Sequence, residues 1–225
     1  DAAAKEAETV AGLWNKKAKN GSISEYDASS DKFLFKGAEN GLAVDQDQLK
    51  ADILAALSRK DFTATIAATV NEVEPEFSEA VAREKYKTIG TFTTNTTSNQ
   101  KRNTNIKLAT QAINGIVLQP GEEFSFNKVV GQRTAEKGYQ EAAAYSGGAA
   151  AYNNGEVVQE IGGGVCQVSS TMYNAVVKAG LKTTMRRSHT FEPSYVTPGT
   201  DATVSWGGPD YKFVNNSSAA IGIRA

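Results

Sequence analysis

Cysteine and histidine are almost missing from this chain: its 225 residues contain one of each, Cys166 and His189. A single thiol excludes an internal disulfide, which fits a bacterial surface protein that stays folded without bridges. One thiol and one imidazole also fall short of the three or four ligands a zinc site needs, so neither metal nor cofactor is expected. No apolar run approaches the roughly 18 residues that cross a bilayer. The chain begins at Asp1 without a methionine or signal-peptide core, and reads as a trimmed soluble portion whose leader or membrane anchor lies outside it. Charge of one sign is lacking too. With 24 Lys and Arg against 25 Asp and Glu, the formal net charge is -1. With no dense basic stripe, a nucleic-acid partner is excluded and neutral or mixed-charge partners are expected.

The composition, 40% hydrophobic and 22% charged, is that of an ordinary globular protein. Its length suits one large domain or two small ones. Val10, Leu13, Trp14 and Ala18 recur at helical spacing before the stop signal Lys19-Asn20-Gly21. Strand-like runs follow at Ile23 to Tyr26 and Lys32 to Lys36. Asp45 is placed to cap a helix carrying Leu49, Ile53, Ala56 and Leu57 on one face. Thr63 to Val73, rich in Thr, Ile and Val, predicts a long strand. Glu74-Pro75-Glu76 then marks a boundary. The expected fold class is α+β, two small mixed domains over residues 1–76 and 77–225, with mainly antiparallel strands and a few helices.

Past the boundary a short helix from Ser78 leads to a predicted strand, Ile89 to Thr94, and then to the polar loop "NTTSNQKRNTN". Ile106, Ala109, Ile113 and Val117 again repeat at helical spacing. A Gln119-Pro120-Gly121 turn enters "EEFSFN", where Phe124 and Phe126 alternate as in a strand. The Ala- and Gly-rich stretch from Ala142 to Gly155 fits a flap over a site or a plain surface loop.

The segment "EIGGGVCQVSSTMYNAVVKAG" carries the chemistry. Val168, Met172, Ala175, Val176 and Ala179 make an apolar stripe and Gly180 stands where a helix ends, so Cys166 opens a helix of about four turns. At that position the helix dipole and free backbone N–H groups favour the thiolate. Gly162, Gly163 and Gly164 allow close approach of a ligand, and their amides with that of Cys166 suit a developing oxyanion. The stretch equally fits a buried thiol acting as a small hydrophobe. A phosphate-binding loop is discounted, because the Gly-Lys-Ser/Thr ending is absent.

If Cys166 needs a base, His189 in "MRRSHTFEPSYV" is the one imidazole available. A carboxylate should orient the ring. Asp201 is favoured, with Asp210 and Glu160 as alternatives, and each also fits a turn or cap. Gln167, Ser169 and Ser170 in the first helical turn, with Gly163 and Gly164, are candidate substrate-binding residues; the side chains also fit bonding to backbone alone.

Residues 89–225 resemble the VanW-like family, named for an accessory product of glycopeptide-resistance clusters. The resemblance rests on "NIKLATQAINGIVLQPGEEFSFNKVVGQRTAEKGY", "EIGGGVCQVSSTMYNA", the Ser188-His189 pair, "YVTPGTDATVSW" and "PDYKFVNNSS". The first half, through "DKFLFKGAENGLAVDQDQLKADILAAL", resembles the peptidoglycan-binding domain that precedes such domains and L,D-transpeptidases of the YkuD type. These resemblances imply an extracytoplasmic protein at the surface of a Gram-positive bacterium, with peptidoglycan stem peptides and glycan as partners. They further imply L,D-transpeptidase-like chemistry, in which Cys166 forms a thioester with a stem peptide and His189 moves the protons. The motif order departs from the YkuD pattern, so shared chemistry would be convergent. The competing readings are a thiol peptidase and a non-catalytic wall-binding or resistance accessory module.

Overall fold

The computed structural model describes residues 1–143, 152–153, 156–157, 159–190 and 192–225. Its contacts divide the chain into two units, one of residues 1–24 and 35–86, the other of residues 25–34 and 87–225. The boundary expected from sequence falls after Glu76; the contacts assign the chain from Lys87 onward to the second unit, together with residues 25–34 of an early hairpin. The fold class is α+β: among the described residues there are six α-helices and many short antiparallel strands in small sheets.

The first unit opens with helix α1 (Ala2–Trp14), capped by the Asp1 side chain. In chain order come the hairpin strands β1 (Ser22–Asp27) and β2 (Lys32–Lys36), whose residues 25–34 belong to the second unit, then β3 (Gly41–Val44), α2 (Gln46–Ser58), β4 (Val70–Val73) and α3 (Glu79–Lys85). Asp45 caps α2 by accepting from the Gln48 amide, as its position predicts. The core face of α1 is Ala3, Ala7 and Ala11, with Ala7 and Ala11 packed against Val44 and Leu49. Leu13 and Trp14, expected on the buried stripe, are 77% and 65% exposed, and the helix stops at Trp14 instead of reaching Ala18. Small side chains at i and i+4 let a neighbouring element approach more closely than the larger stripe would. Of the predicted strand from Thr63 to Val73 only the last four residues pair, against β3; the rest lack a partner strand among the described residues.

The second unit contains α4 (Gln100–Ile113), β5 (Val117–Leu118), β6 (Glu123–Ser125), α5 (Phe126–Val130) and β7 (Glu141–Ala143). Then come β8 (Tyr152–Asn153), β9 (Glu156–Val157), β10 (Gln159–Ile161), α6 (Val165–Lys178), β11 (Lys182–Met185), β12 (Lys212–Val214) and β13 (Ile221–Gly222). The polar stretch expected to be a loop supplies the first turns of α4, begun by Asn99 accepting from the Arg102 amide. Phe126 starts a helix, not a second strand residue, because Ser125 caps it at the Lys128 amide. The predicted strand from Ile89 to Thr94 is instead a strap along α6. A Cβ on Gly90 would stand 2.3 Å from the Ala175 carbonyl oxygen, and Lys178 Nζ lies 4.9 Å from the Phe92 ring centroid.

The core of this unit joins Val165, Val168, Met172 and Val176 of α6 to Phe124, Phe126, Tyr211 and Phe213. Phe124 and Phe213 stack at 5.1 Å between centroids across the β6–β12 pairing. Burying four apolar side chains on one face of α6 contributes on the order of 6–12 kcal/mol before entropy is counted. That anchorage fixes the N-terminal end of α6, where the thiol sits. The flap considered for residues 142–155 falls mostly outside the described residues.

Candidate active site

A close approach, a left-handed backbone turn and a buried amide shape the loop before α6. Gly163 passes so near β7 that a Cβ there would meet the Ala142 carbonyl oxygen at 2.3 Å. Gly164, the N-cap of α6, has φ 104°, a conformation open to glycine but strained for other residues. The fully buried Asn105 of α4 ties the loop down, donating to Gly163 O at 3.0 Å and Gln140 O at 2.8 Å and accepting from the Gln140 amide. Cys166 is thereby held in the first turn of α6, as its sequence context predicts.

The thiol faces an extended segment, residues 201–204, that runs beside the helix start. Sγ lies 3.3 Å from Val204 O, 3.4 Å from Val204 N and 3.7 Å from Thr203 Oγ1. It is also hydrogen-bonded to the His189 ring. His189 follows β11 in extended chain; Arg187, two residues before it, accepts from the Thr203 amide at 2.8 Å. This one pairing brings the histidine segment alongside the cysteine's partner segment. His189 Nδ1 is 2.6 Å from Asp201 Oδ2, and both side chains are nearly inaccessible, 2% and 4% exposed. With Nδ1 on the carboxylate, Nε2 is the nitrogen left for the sulfur.

The electrostatics follow from this chain of contacts. Burial pushes the Cys166 thiol up, but the hydrogen bond and charge of His189, with Val204 N–H and the Thr203 hydroxyl, more than offset it, leaving the thiol below its ordinary value. His189 is raised: burial lowers it, while Cys166 and then Asp201 favour its protonated form. Burial raises Asp201, and the His189 amide and ring outweigh that and hold its carboxyl low. The arrangement thus favours a thiolate–imidazolium pair backed by a carboxylate.

Of the carboxylates considered from sequence, Asp201 is the one on the imidazole. Asp210 instead accepts from Ser125 Oγ at 2.7 Å and the Asn127 amide at 2.8 Å, holding the start of α5. Glu160 takes part through its backbone, accepting from the Gly163 amide at 3.1 Å. The amides of Gly162 and Gly163 are already bonded to Gln140 O and Glu160 O. Those of Gly164 and Cys166 find no backbone acceptor among the described residues.

Gln167, Ser169 and Ser170, expected to meet substrate, are buried and spent internally. Gln167 Nε2 donates to Thr94 Oγ1 at 2.9 Å and Asn95 O at 2.8 Å, fastening the strap to the helix. Ser169 Oγ donates to Ala202 O at 2.6 Å. Ser170 Oγ donates to Cys166 O at 2.7 Å and accepts from the Ala202 amide at 2.9 Å. These serines lock the Asp201 segment onto α6, which is a positioning role.

Several contributors escaped the sequence reading. Arg186 donates through Nε to Asp201 O and through Nη2 to Gly199 O, each at 2.6 Å, and packs over Tyr173. Its place beside Ser188-His189 was the one available signal. Thr203 and Val204 lie in the "YVTPGTDATVSW" motif, but they act through an alignment of backbone that residue type does not announce. Arg133 and Tyr195 also lie within electrostatic reach of Cys166. Among the described residues no group of three His, Cys, Asp or Glu side chains is placed to hold a metal ion, and no helix is long and apolar enough to cross a membrane.

Comparison with known proteins adds a family. The profile described as "VanW like protein" matches residues 101–225. The chain is 47% identical over 149 residues to "Uncharacterized protein YoaR" of Bacillus subtilis, covering 66% of this chain and 47% of that protein. It is 31% identical over 124 residues to "Vancomycin B-type resistance protein VanW" of Enterococcus faecalis, covering 53% of this chain and 42% of that protein. The chain therefore spans under half the length of each of these relatives. No solved structure matches.

Proposed function

The chain belongs to the VanW-like family, and from that membership together with the site geometry we propose that it acts on the bacterial cell wall as a cysteine-dependent acyltransferase of the L,D-transpeptidase kind. The observation that carries this reading is the contact chain Cys166–His189–Asp201 at the start of α6. The name of the Enterococcus relative, a vancomycin resistance protein, supports the wall as the place of action.

In the proposed reaction the Cys166 thiolate attacks a peptide carbonyl of a stem peptide and a C–S bond forms. The Gly164 and Cys166 amides receive the oxyanion. The C–N bond then breaks, and the imidazolium of His189 gives its proton to the departing amine, leaving a thioester. An amine of a second stem attacks that thioester and yields its proton to His189. The new amide forms, and the thiolate is released. Asp201 holds the ring in register for both transfers. The first unit is proposed to bring glycan or stem peptide to the site.

The test is incubation with a D-alanine-terminated stem tetrapeptide and mass analysis of the intact chain. An adduct of the acyl tripeptide on Cys166, absent from Cys166→Ser, is expected. New cross-linked dimers from wall fragments would then identify a transferase, and shortened stems alone a peptidase. A thiol that yields no adduct and resists alkylation in the folded protein would leave a binding module.

A further inference from the structure

Against the glycine loop lies an arginine, Arg133, that the proposed chemistry leaves unused. Its side chain rests on Gly162, where a Cβ would stand 3.0 Å from Arg133 Cβ. Nη1 donates to Asn127 Oδ1 at 2.8 Å, and Cζ sits 5.6 Å from the centroid of the fully buried Phe126 ring. Asn127 is itself fixed. Its side chain donates to Ser205 O and Pro209 O, each at 2.9 Å, and its amide donates to Asp210. The guanidinium is therefore held by a rigid neutral support.

Its hydrogen-bond partner among the described residues is a neutral amide, not a carboxylate. Nη2 is buried with no hydrogen-bond partner among the described residues. Asp210, the acid in its electrostatic surroundings, already accepts from Ser125 Oγ and from backbone amides. Burial draws the pKa of Arg133 down, and the charge of Cys166 is the first influence drawing it back. A guanidinium withdrawn from water with no carboxylate hydrogen-bonded to it costs free energy that an anion in the site recovers. The thiolate is one such anion. A peptide that loses a single C-terminal residue brings another, because the carboxylate of that residue stays close to the carbonyl under attack.

We infer that Arg133 is a specificity-determining residue that binds the free C-terminal carboxylate of the donor, so that the site takes peptides with one carboxylate-bearing residue beyond the attacked carbonyl. The inference rests on the proposed thiol chemistry for where the carbonyl sits. It makes the protein a reader of peptide ends, unable to use the same bond inside a longer chain.

The experiment compares an N-acetylated stem tetrapeptide ending in D-alanine with its C-terminal amide, titrated into the full chain carrying Cys166→Ala, where no thiolate competes. The free acid should bind roughly ten- to hundredfold more tightly than the amide. Adding Arg133→Met should erase the difference, and Arg133→Lys should restore part of it. Equal binding of acid and amide, binding of neither, or an acid preference that Arg133→Met leaves unchanged would overturn the inference. The acid-to-amide ratio with Arg133 intact decides the matter even if the methionine variant fails to fold. Acylation of the unsubstituted chain separates the two readings. A thioester formed equally from acid and amide retains the acyltransferase and removes the arginine's role. Acid-selective binding without any thioester does the reverse.

Discussion

The ring nitrogen Nδ1 and the backbone N–H of His189 both bond to one oxygen of Asp201, Oδ2, each at 2.6 Å. One carboxylate oxygen thus sets both where the histidine backbone lies and how its ring is turned. Arg186 completes the arrangement by bonding the Asp201 carbonyl.

Asp201→Asn replaces that shared acceptor with a neutral amide that can present a donor to the ring. Acylation of Cys166 by a stem peptide should fall by roughly two to four orders of magnitude. Stopped-flow or quenched-flow mass spectrometry measures it. Donor binding in a Cys166→Ala background should change little, which separates lost orientation from lost affinity.

The pH profile follows from the directions of two shifts. A lowered thiol and a raised imidazole mean that the ion pair exists between them. Below that window the sulfur is protonated; above it the imidazolium is lost. Acylation should give a bell whose acid limb lies below the ordinary thiol value of about 8.5 and whose alkaline limb lies above the ordinary histidine value of about 6.5. His189→Ala should move the midpoint of iodoacetamide alkylation upward, toward or past the ordinary thiol value.

Gly163→Ala places a methyl group 2.3 Å from the Ala142 carbonyl oxygen, a backbone atom that cannot step aside without moving β7. A stability loss of about 1–3 kcal/mol or more is expected from denaturant unfolding, with thioester formation abolished. Gly180→Ala is the contrast. Its Cβ meets open space, and only the left-handed φ of 70° opposes it. About 1 kcal/mol should be lost there and the site left working.

Ser170→Ala removes the hydroxyl that joins Cys166 O to the Ala202 amide. That amide is buried and loses its acceptor, so destabilisation by about 1–3 kcal/mol is expected in thermal or denaturant melts. The drop in acylation should exceed what the stability loss explains, because the Asp201 segment is released from α6.

The helix start at Cys166 was legible because its signals are local. Three glycines, an apolar stripe ending at Ala179 and a closing Gly180 depend on residues within a few positions of one another. The partners of the thiol were only half legible. A lone histidine and several nearby acids narrowed the choice, yet Asp201, Asp210 and Glu160 looked alike until the Thr203–Arg187 pairing set one beside the ring. Val204 and Arg133 stand inside the quoted family motifs, and Arg186 beside Ser188-His189, but nothing in their identity or spacing points to the thiol. The two misread strands share a cause. The Ile89 to Thr94 segment and most of Thr63 to Val73 have strand-forming side chains but no strand to pair with among the described residues, and propensity alone does not close a ladder.

The sequence by itself determined that a thiol would open a helix and that one imidazole was available to it, since capping, helical period and residue identity are short-range properties. The tertiary structure alone decided which carboxylate meets the ring, which glycine must lie flat against a strand, and which serines are used up in the wall. Those outcomes come from segments dozens of residues apart satisfying one another's backbone groups, and that pairing is settled only when the whole core packs.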